Sequence, residues 1–329
     1  MHYFTACIRS SHASTGHKQP STSSMHPRTV HLQPVIMSGE KYRGFLGMRG
    51  IIAFLLTAAC LLGQGRLKRA EDLYDKTDYR ASLALLAELS SPDAAAYFLM
   101  GRDQFMLGEY KKSTDAFQKA VALQPSKSEY AHWLGRTFGR RAETSNPFAA
   151  PMYASKARQY FEKAVALDPA NEEALNDLFD FYLQAPGFLG GGYDKAEAVA
   201  KRIAQRNEAE GHFAQAQLAD KRKQFDTAEQ QLRRAMDLAP RQVGRVLDLA
   251  KYLAKRGRYE ESEATFDRAE KLEPNAPKVM FARANTYIQE KRNLDQARIL
   301  LRKYLQSDLT PDDPPRELAE KMLREVPGS

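Results

Sequence analysis

Few residues of this 329-residue chain could take part in catalysis, and one glycine-rich segment is the first candidate. Gly187 to Gly192 has the glycine spacing of a phosphate-binding loop, whose backbone N–H groups hold an anion in front of a helix. That loop also requires Lys followed by Ser or Thr, and here Tyr193 and Asp194 stand in their place. The segment is therefore not predicted to bind a nucleotide.

Histidine and cysteine are also poorly placed for a metal site or a nucleophile. Five of the seven histidines precede residue 37, and the other two, His132 and His212, show no paired-ligand spacing. Both cysteines, Cys7 and Cys60, lie near the N-terminus. No Ser-His-Asp grouping or close pair of buried carboxylates can be nominated. We predict no catalytic residue, no metal and no cofactor, and interpret His132 and His212 as satisfied surface or core residues.

The dominant pattern of the chain is a 34-residue period, and Ala94 to Lys127 shows it most clearly. Counted from Ala94, large residues fall at positions 4, 7, 17 and 24, small ones at 8, 20 and 27, and proline at 32. The residues in order are Tyr97, Met100, Gly101, Tyr110, Ser113, Phe117, Ala120 and Pro125. This pattern resembles the tetratricopeptide repeat, a helix-turn-helix unit of 34 residues. Small residues allow two helices to approach, large ones fill the space between units, and proline ends the second helix.

The same register recurs down the chain and predicts an all-α fold. We expect a right-handed α-solenoid of about seven such helical hairpins over residues 66–310, with a capping helix and tail in residues 311–329. The units lie near 66–93, 94–127, 128–171, 172–208, 209–242, 243–276 and 277–310. In the unit 172–208, Phe179 at position 8 and Ala200 at position 24 are interpreted as a volume exchange. If the register is right, Ala216, Ala250 and Ala284 are buried.

The first 65 residues are predicted to be a targeting region. Residues 1–47 are expected to be a disordered leader or sequence upstream of the true start, although their arginine, serine and scarce acidic residues also fit a transit peptide. Residues 48–65 combine preceding arginines, the apolar run 51–62 and a small-x-small motif, which is typical of a cleaved secretory signal. An uncleaved membrane anchor over 51–62 and a lipid-modified Cys60 are the alternatives. We expect an exported protein of a bacterial-type cell, either periplasmic, extracellular or envelope-associated.

Charge does not favour nucleic acid as a partner. The chain has 49 basic and 41 acidic residues, but residues 1–65 hold six of the basic ones and one acidic one, leaving 43 against 40. Acidic residues also interrupt the local basic clusters, as in solvated helix faces. We predict no specific nucleic-acid partner, and membrane contact only through a retained N-terminal segment.

The inner surface of such a solenoid is lined by the first helix of each unit, called helix A. Its inward positions predict a mixed, mildly basic groove that suits an extended acidic or amphipathic peptide. The carboxylate-gripping Lys and Asn set of peptide-clamping tetratricopeptide domains is not reproduced. The predicted groove residues are Arg102, His132, Arg136, Arg140, Asn176, Asp180, Gln217, Lys251, Lys255 and Asn285.

Two insertions interrupt adjacent units at the turn between helix A and helix B, at residues 143–153 and 185–195. Because neighbouring turns lie about 10 Å apart, we expect the two insertions to meet. Either they cover the edge of an irregular unit or they form a partner site. The residues that they would offer are Phe148, Met152, Tyr153, Phe188, Leu189, Gly190, Gly191, Gly192 and Tyr193.

Together these features predict a non-catalytic scaffold that binds a protein or peptide through the groove and the two insertions. The alternative is a small-ligand-binding protein or an enzyme that uses the paired insertions. Removing residues 188–192 separates the two, because a scaffold keeps its fold and changes its partner recovery, whereas an enzyme loses turnover.

Overall fold

The computed structural model describes residues 63–326. The leader 1–47 and the apolar run 51–62 lie outside the described residues, as does the end of the tail. Residues 63–65, which carry the proposed cleavage motif, are the first described residues of a helix.

Residues 63–326 contain α-helices, one short 3₁₀ helix and connections, with no β-strand among them. Consecutive helices pair into seven hairpins, and a single helix follows the last hairpin. The prediction of an all-α solenoid is confirmed. The helices are α1 (63–75), α2 (Tyr79–Ala87), α3 (Ala94–Met106), α4 (Tyr110–Leu123), α5 (Ser128–Thr144), α6 (Ala150–Leu167), α7 (Glu172–Gln184), α8 (Tyr193–Arg206), α9 (Glu208–Lys221), α10 (Phe225–Leu238), α11 (Val243–Lys255), α12 (Tyr259–Leu272), α13 (Pro277–Gln289), α14 (Leu294–Gln306) and α15 (Arg316–Glu325).

The ends of the helices follow from local chemistry. Four of the B helices end two residues before a proline, because the residue that precedes proline is disfavoured in the helical region. The helix ends and prolines are Leu123 with Pro125, Leu167 with Pro169, Leu238 with Pro240, and Leu272 with Pro274. Several A helices begin at a side chain that accepts a hydrogen bond from the third residue after it, as Asp93 does from Ala96 N at 2.8 Å.

The small residue at position 8 fits under the large residue at position 24 of the same unit. A Cβ atom added to Gly101 would lie 2.6 Å from the ring of Phe117, and one added to Gly135 would lie 2.7 Å from the ring of Phe161. The ring of Phe117 also lies 6.0 Å from that of Trp133 in the next unit. Position 24 therefore packs within its own unit as well as between units, which the sequence analysis did not predict.

The buried positions confirm the 34-residue register. Ala216, Ala250 and Ala284 are 2%, 0% and 0% exposed. Phe179 and Ala200 are also buried, so the large and small residues have exchanged positions inside the core. The small residue at position 20 can also make a hydrogen bond between the two helices of a unit. The hydroxyl of Ser113 donates a hydrogen bond of 2.8 Å to the carbonyl of Gly101.

The first insertion lengthens two helices instead of forming a long loop. Helices α5 and α6 have 17 and 18 residues, whereas α3 and α4 of the preceding unit have 13 and 14. Only residues 145–149 remain between α5 and α6. The expectation of a loop over 143–153 is therefore wrong at both of its ends. The second insertion forms the 3₁₀ turn Gly187–Leu189 and then three glycines before α8.

Several turns between helix A and helix B have a left-handed residue at the same repeat position, and in some of them this residue is not glycine. The φ angles are +73° at Gly108 and +74° at Gly257, but the exposed Lys223 adopts +60° at the corresponding turn.

A side chain at Lys223 makes this left-handed conformation less favourable than it is for glycine. We expect Lys223→Gly to raise the free energy of unfolding by about 0.5 kcal/mol. The midpoint of urea unfolding measures this, and a lower midpoint than that of the parent would contradict it.

Candidate partner-binding surfaces

The arginines of the first half of the groove form one cluster on α3 and α5. We call Arg102, Arg136 and Arg140 the arginine cluster. The guanidinium of Arg102 lies 4.2 Å from the ring centre of Tyr74 and 5.3 Å from that of Trp133. Arg136 lies 4.4 Å from the ring centre of Trp133 on α5. Stacking on aromatic rings holds the planar guanidinium groups in place and leaves their N–H edges directed away from the ring faces.

Carboxylates beneath this surface orient part of the cluster. Arg136 Nε lies 3.6 Å from Asp177 Oδ2, and Arg140 donates to Glu143 on the same helix. Arg102 Nε is buried and has no hydrogen-bond partner among residues 63–326. The cluster therefore combines positive charge with limited side-chain freedom, an arrangement that favours the binding of carboxylates.

The arginine cluster lines a cavity of about 380 Å³ whose other wall comes from the end of the chain. Trp133, Glu129 and Glu173 complete the groove side of this cavity. The opposite side is formed by residues within 311–321, from the connection before α15 and from α15 itself. The sequence analysis placed these residues in a cap and did not associate them with the groove.

The second half of the groove carries lysines where the first half carries arginines. Gln217, Lys251 and Lys255 line a cavity of about 250 Å³. Lys255 Nζ lies 2.6 Å from Asp220 Oδ2, and Lys251 Nζ lies 3.3 Å from Asp248 Oδ1. Both lysines therefore have an acidic neighbour, as Arg136 and Arg140 also do. The arginines differ from the lysines in that their guanidinium groups also stack on aromatic rings, and for this reason we take the arginine cluster as the main candidate for binding an acidic partner.

Other predicted groove residues lie beneath the surface or away from these two cavities. His132 is 1% exposed, and its Nε2 lies 2.8 Å from Asp177 Oδ2. Asp180 is also buried. Both residues belong under the groove, so they are unsuited to direct partner contact. Asn176 faces a small cleft toward α8 and α9, and Asn285 is half-buried on α13.

The sequence analysis missed Trp133 and Tyr74 as groove residues. The available signal was modest, since Trp133 is the single tryptophan of the chain and precedes Arg136 by one helical turn. No such signal marks Tyr74, because it lies in the first hairpin and the arginine that it contacts, Arg102, lies in the second.

The insertions expose several apolar side chains and bury others. Phe148 is 96% exposed and Phe188 is 83% exposed, and Met152 and Tyr193 are exposed to a lesser extent. Tyr153 instead packs into the structure, where Arg141 Nη2 donates a hydrogen bond of 2.5 Å to its hydroxyl. Leu189 packs against the core. Because Phe148 and Phe188 are exposed, their side chains contribute little to the packing of the irregular unit 172–208.

The second insertion contacts the preceding unit through helix α6. A Cβ atom on Gly190 would lie 3.0 Å from the Arg158 guanidinium, and Arg158 Nη1 lies 3.3 Å from Glu162 Oε1. Tyr182 also donates a hydrogen bond of 2.8 Å to Glu162 Oε1. Arg158 lies about 12 Å along α6 from Ala150, because a helix rises about 1.5 Å per residue. Because the first insertion ends at Tyr153, five residues before Arg158, this contact point lies about 7.5 Å beyond it, a little more than one helical turn.

The glycine run is required by the shape of this turn. A Cβ atom on Gly191 would lie 1.8 Å from the carbonyl oxygen of Ala185, and Gly190 and Gly192 have φ angles of +91° and +153°. The backbone N–H groups of Gly190, Gly191 and Gly192 donate to the carbonyls of Gly187, Pro186 and Tyr182. Since these three donors are already used, the run does not form an anion-binding loop.

Within the described residues, neither a metal site nor a membrane-spanning helix is found. No group of three or more His, Cys, Asp or Glu side chains within residues 63–326 is arranged to hold a metal ion. In the same range, no helix combines the length and the apolar character that a membrane crossing requires.

The chain is similar to known proteins in its repeat sequence and in its fold. Residues 94–127 and 247–314 match two models of the tetratricopeptide repeat. A solved tetratricopeptide repeat protein from Parabacteroides merdae is 16% identical, with a TM-score of 0.53 over 80% of this chain and 97% of that one. A thermophilic repeat protein of the same kind from Thermus thermophilus is 23% identical, with a TM-score of 0.46 over 61% of this chain and 99% of that one. No curated protein sequence matches the chain. At these identities the similarity to solved structures concerns the fold.

Proposed function

Because the chain is a tetratricopeptide repeat protein, we propose that it is a non-catalytic scaffold that binds a protein partner through its concave groove. Tetratricopeptide repeats generally serve as protein-interaction scaffolds, and their stacked units offer a long concave surface to a peptide. The observation that carries this proposal is the arginine cluster along one side of a cavity of about 380 Å³, in which Arg102 stacks on Tyr74 and Arg136 on Trp133. The partner segment that this chemistry favours is extended and acidic.

The exposed aromatic residues of the two insertions are the second proposed contact. Phe148 and Phe188 are large apolar side chains at the turns of neighbouring units, and both are almost fully exposed. Aromatic residues are enriched at the centres of protein interfaces because they bury a large area when a partner covers them. The insertions would therefore supply apolar contact area in addition to the charge recognition in the groove.

Partner capture from the native cell envelope tests the groove. The full chain, tagged after Ser329, is compared with Arg136→Gln/Arg140→Gln and with the matched variant Arg234→Gln/Arg268→Gln. Arg234 and Arg268 are exposed on the B helices α10 and α12. We expect the groove variant to recover about tenfold less partner, a change that corresponds to about 1.4 kcal/mol, because arginines are enriched among the interface residues whose removal costs most. Equal recovery by all three proteins would refute the groove as the binding surface.

The insertions are tested by the variant Phe148→Ser/Phe188→Ser in the same capture experiment. Its control is Leu123→Ser/Ile299→Ser, which removes two apolar side chains that are 55% and 44% exposed elsewhere. We expect lower recovery with the insertion variant alone, and an unchanged unfolding temperature for it. Parallel losses in both variants would show that the insertions have no specific part in binding.

We further propose that the protein is exported or held at the cell envelope. This proposal is supported by the sequence of residues 48–65, most of which lie outside the described residues. N-terminal sequencing of the native protein tests it. Cleavage near residue 65 is expected, and an intact N-terminus on a protein from the cytosolic fraction would contradict it.

A further inference from the structure

The two ends of the solenoid meet across the groove. Residues within 311–321 line the same cavity as the arginine cluster on α3 and α5. Burial raises the pKa of Tyr79 on α2, and the nearby groups Tyr74 and Glu317 raise it further. Burial likewise raises the pKa of Tyr304 on α14, with contributions from Asp313 and Tyr79. The first and last hairpins are therefore within electrostatic range of each other.

Specific contacts hold residues 311–321 in this position. Asp313 Oδ2 accepts hydrogen bonds from the Thr310 amide at 2.9 Å and the Thr310 hydroxyl at 3.0 Å. The hydroxyl of Tyr304 donates to the carbonyl of Pro314, and Arg316 donates to the carbonyl of Leu305. Ala319 on α15 is fully buried. These contacts fix the segment on the last hairpin, and from there it lines the cavity opposite α3 and α5.

The charges on the two walls of the cavity are complementary. On the segment's side the charged lining residues are Asp312, Asp313, Glu317 and Lys321, three acidic against one basic. On the groove side they are the arginine cluster with Glu129 and Glu173, three basic against two acidic. The first five residues of the segment, which include three prolines, form an irregular connection, and residues 316–321 begin α15. An acidic segment is the kind of peptide that the groove itself is proposed to bind.

We propose that residues 311–321 form an acidic strap that covers the arginine cluster and competes with the acidic segment of an external partner. This inference depends on the proposed function of the groove for the identity of the competitor. The strap lowers the apparent affinity of the partner by the fraction of molecules in which the groove is open. Binding therefore requires displacement of the strap, and the partner must be more acidic, longer or more apolar than residues 311–321.

The test uses the full chain and a fluorescein-labelled synthetic peptide of residues 309–321. The variant Asp312→Lys/Glu317→Lys changes two exposed acidic residues of the strap. Fluorescence anisotropy is expected to show that it binds the peptide about fivefold more tightly than the parent, as for a strap closed about four fifths of the time. Adding Arg136→Gln/Arg140→Gln to this variant is expected to abolish the gain. The matched variant Asp237→Lys/Glu260→Lys makes the same charge change on α10 and α12 and should bind as the parent does.

Equal affinity of the parent and the strap variant, or no binding to either, would overturn the strap. Hydrogen exchange provides a second measurement that does not use the peptide. Amides of residues 309–321 should exchange faster in the Arg136→Gln/Arg140→Gln variant than in the parent, and an unchanged rate would also overturn the proposal. The two proposals fail separately. If partner capture depends on Arg136 and Arg140 while the strap measurements show no difference, the groove function stands and the strap does not.

Discussion

Replacing Phe117 with alanine is expected to lower the free energy of unfolding by about 4 kcal/mol, near the upper end for a large core residue. The Phe117 ring is fully buried and lies against Gly101, which has no side chain that could move into the space. The cavity would therefore persist instead of collapsing. Chemical denaturation with circular dichroism measures the loss. A cost below about 1 kcal/mol would mean that position 24 does not fill position 8 in the way described.

A double-mutant cycle at the same pair separates packing from other effects. Gly101→Ala alone should destabilise the protein, since its Cβ would lie 2.6 Å from the Phe117 ring. In a protein that already carries Phe117→Leu, the substitution Gly101→Ala should be neutral or stabilising. The double variant has alanine at position 8 and leucine at position 24, as Ala216 and Leu232 do in a later unit. We expect a coupling energy of about 1 to 2 kcal/mol. Additive effects of the two substitutions would contradict direct contact between positions 8 and 24.

The contribution of Asp103 to the free energy of unfolding is expected to fall as the pH rises from about 4 to about 8. Its carboxyl is completely buried, and burial raises its pKa from 3.8 to about 8, although the Ser82 hydroxyl and the Arg102 charge oppose the shift. The folded state therefore binds the proton more tightly than the unfolded state does. The contribution of Asp103 to stability is greatest below pH 4, where its carboxyl is protonated in both states, and is lost as the pH approaches the folded pKa.

Asp103→Asn removes this ionisation and should flatten the pH profile. Relative to the parent, the variant is expected to gain stability from pH 4 to pH 8, by a difference on the order of 5 kcal/mol, since each pKa unit corresponds to about 1.4 kcal/mol. Urea unfolding at a series of pH values measures the difference. The matched variant Asp115→Asn removes an exposed carboxylate on α4 and should run parallel to the parent. If Asp103→Asn also ran parallel, the buried carboxyl would not be the cause of the pH dependence.

The fold could be predicted from the sequence because its determinants are local and periodic. A small residue at position 8, a large one at position 24 and a proline at position 32 specify a hairpin within 34 residues. Gly101 with Phe117 and Gly135 with Phe161 show this directly. The exchange of a large and a small residue at Phe179 and Ala200 could also be predicted, because the summed volume of the two side chains is kept.

The course of the first insertion and the meeting of the chain ends could not be predicted in the same way. Residues 143–144 and 150–153 extend their helices because the inserted sequence continues to form backbone hydrogen bonds, which a comparison of repeat lengths does not reveal. The position of residues 311–321 depends on the rotation between successive units, accumulated over seven hairpins. No short stretch of sequence specifies this accumulated rotation. For the same reason Tyr74 and Trp133 on either side of Arg102 were not predicted as a unit.

The claim that the concave groove binds the partner is tested most directly by hydrogen exchange of the full chain with and without the captured partner. We expect partner binding to slow exchange in the A helices α3, α5 and α7, which carry the arginine cluster and its surroundings. Exchange in the B helices α10 and α12 should stay unchanged, because they form the opposite surface. Protection confined to α10 and α12, with none in α3, α5 and α7, would contradict the claim.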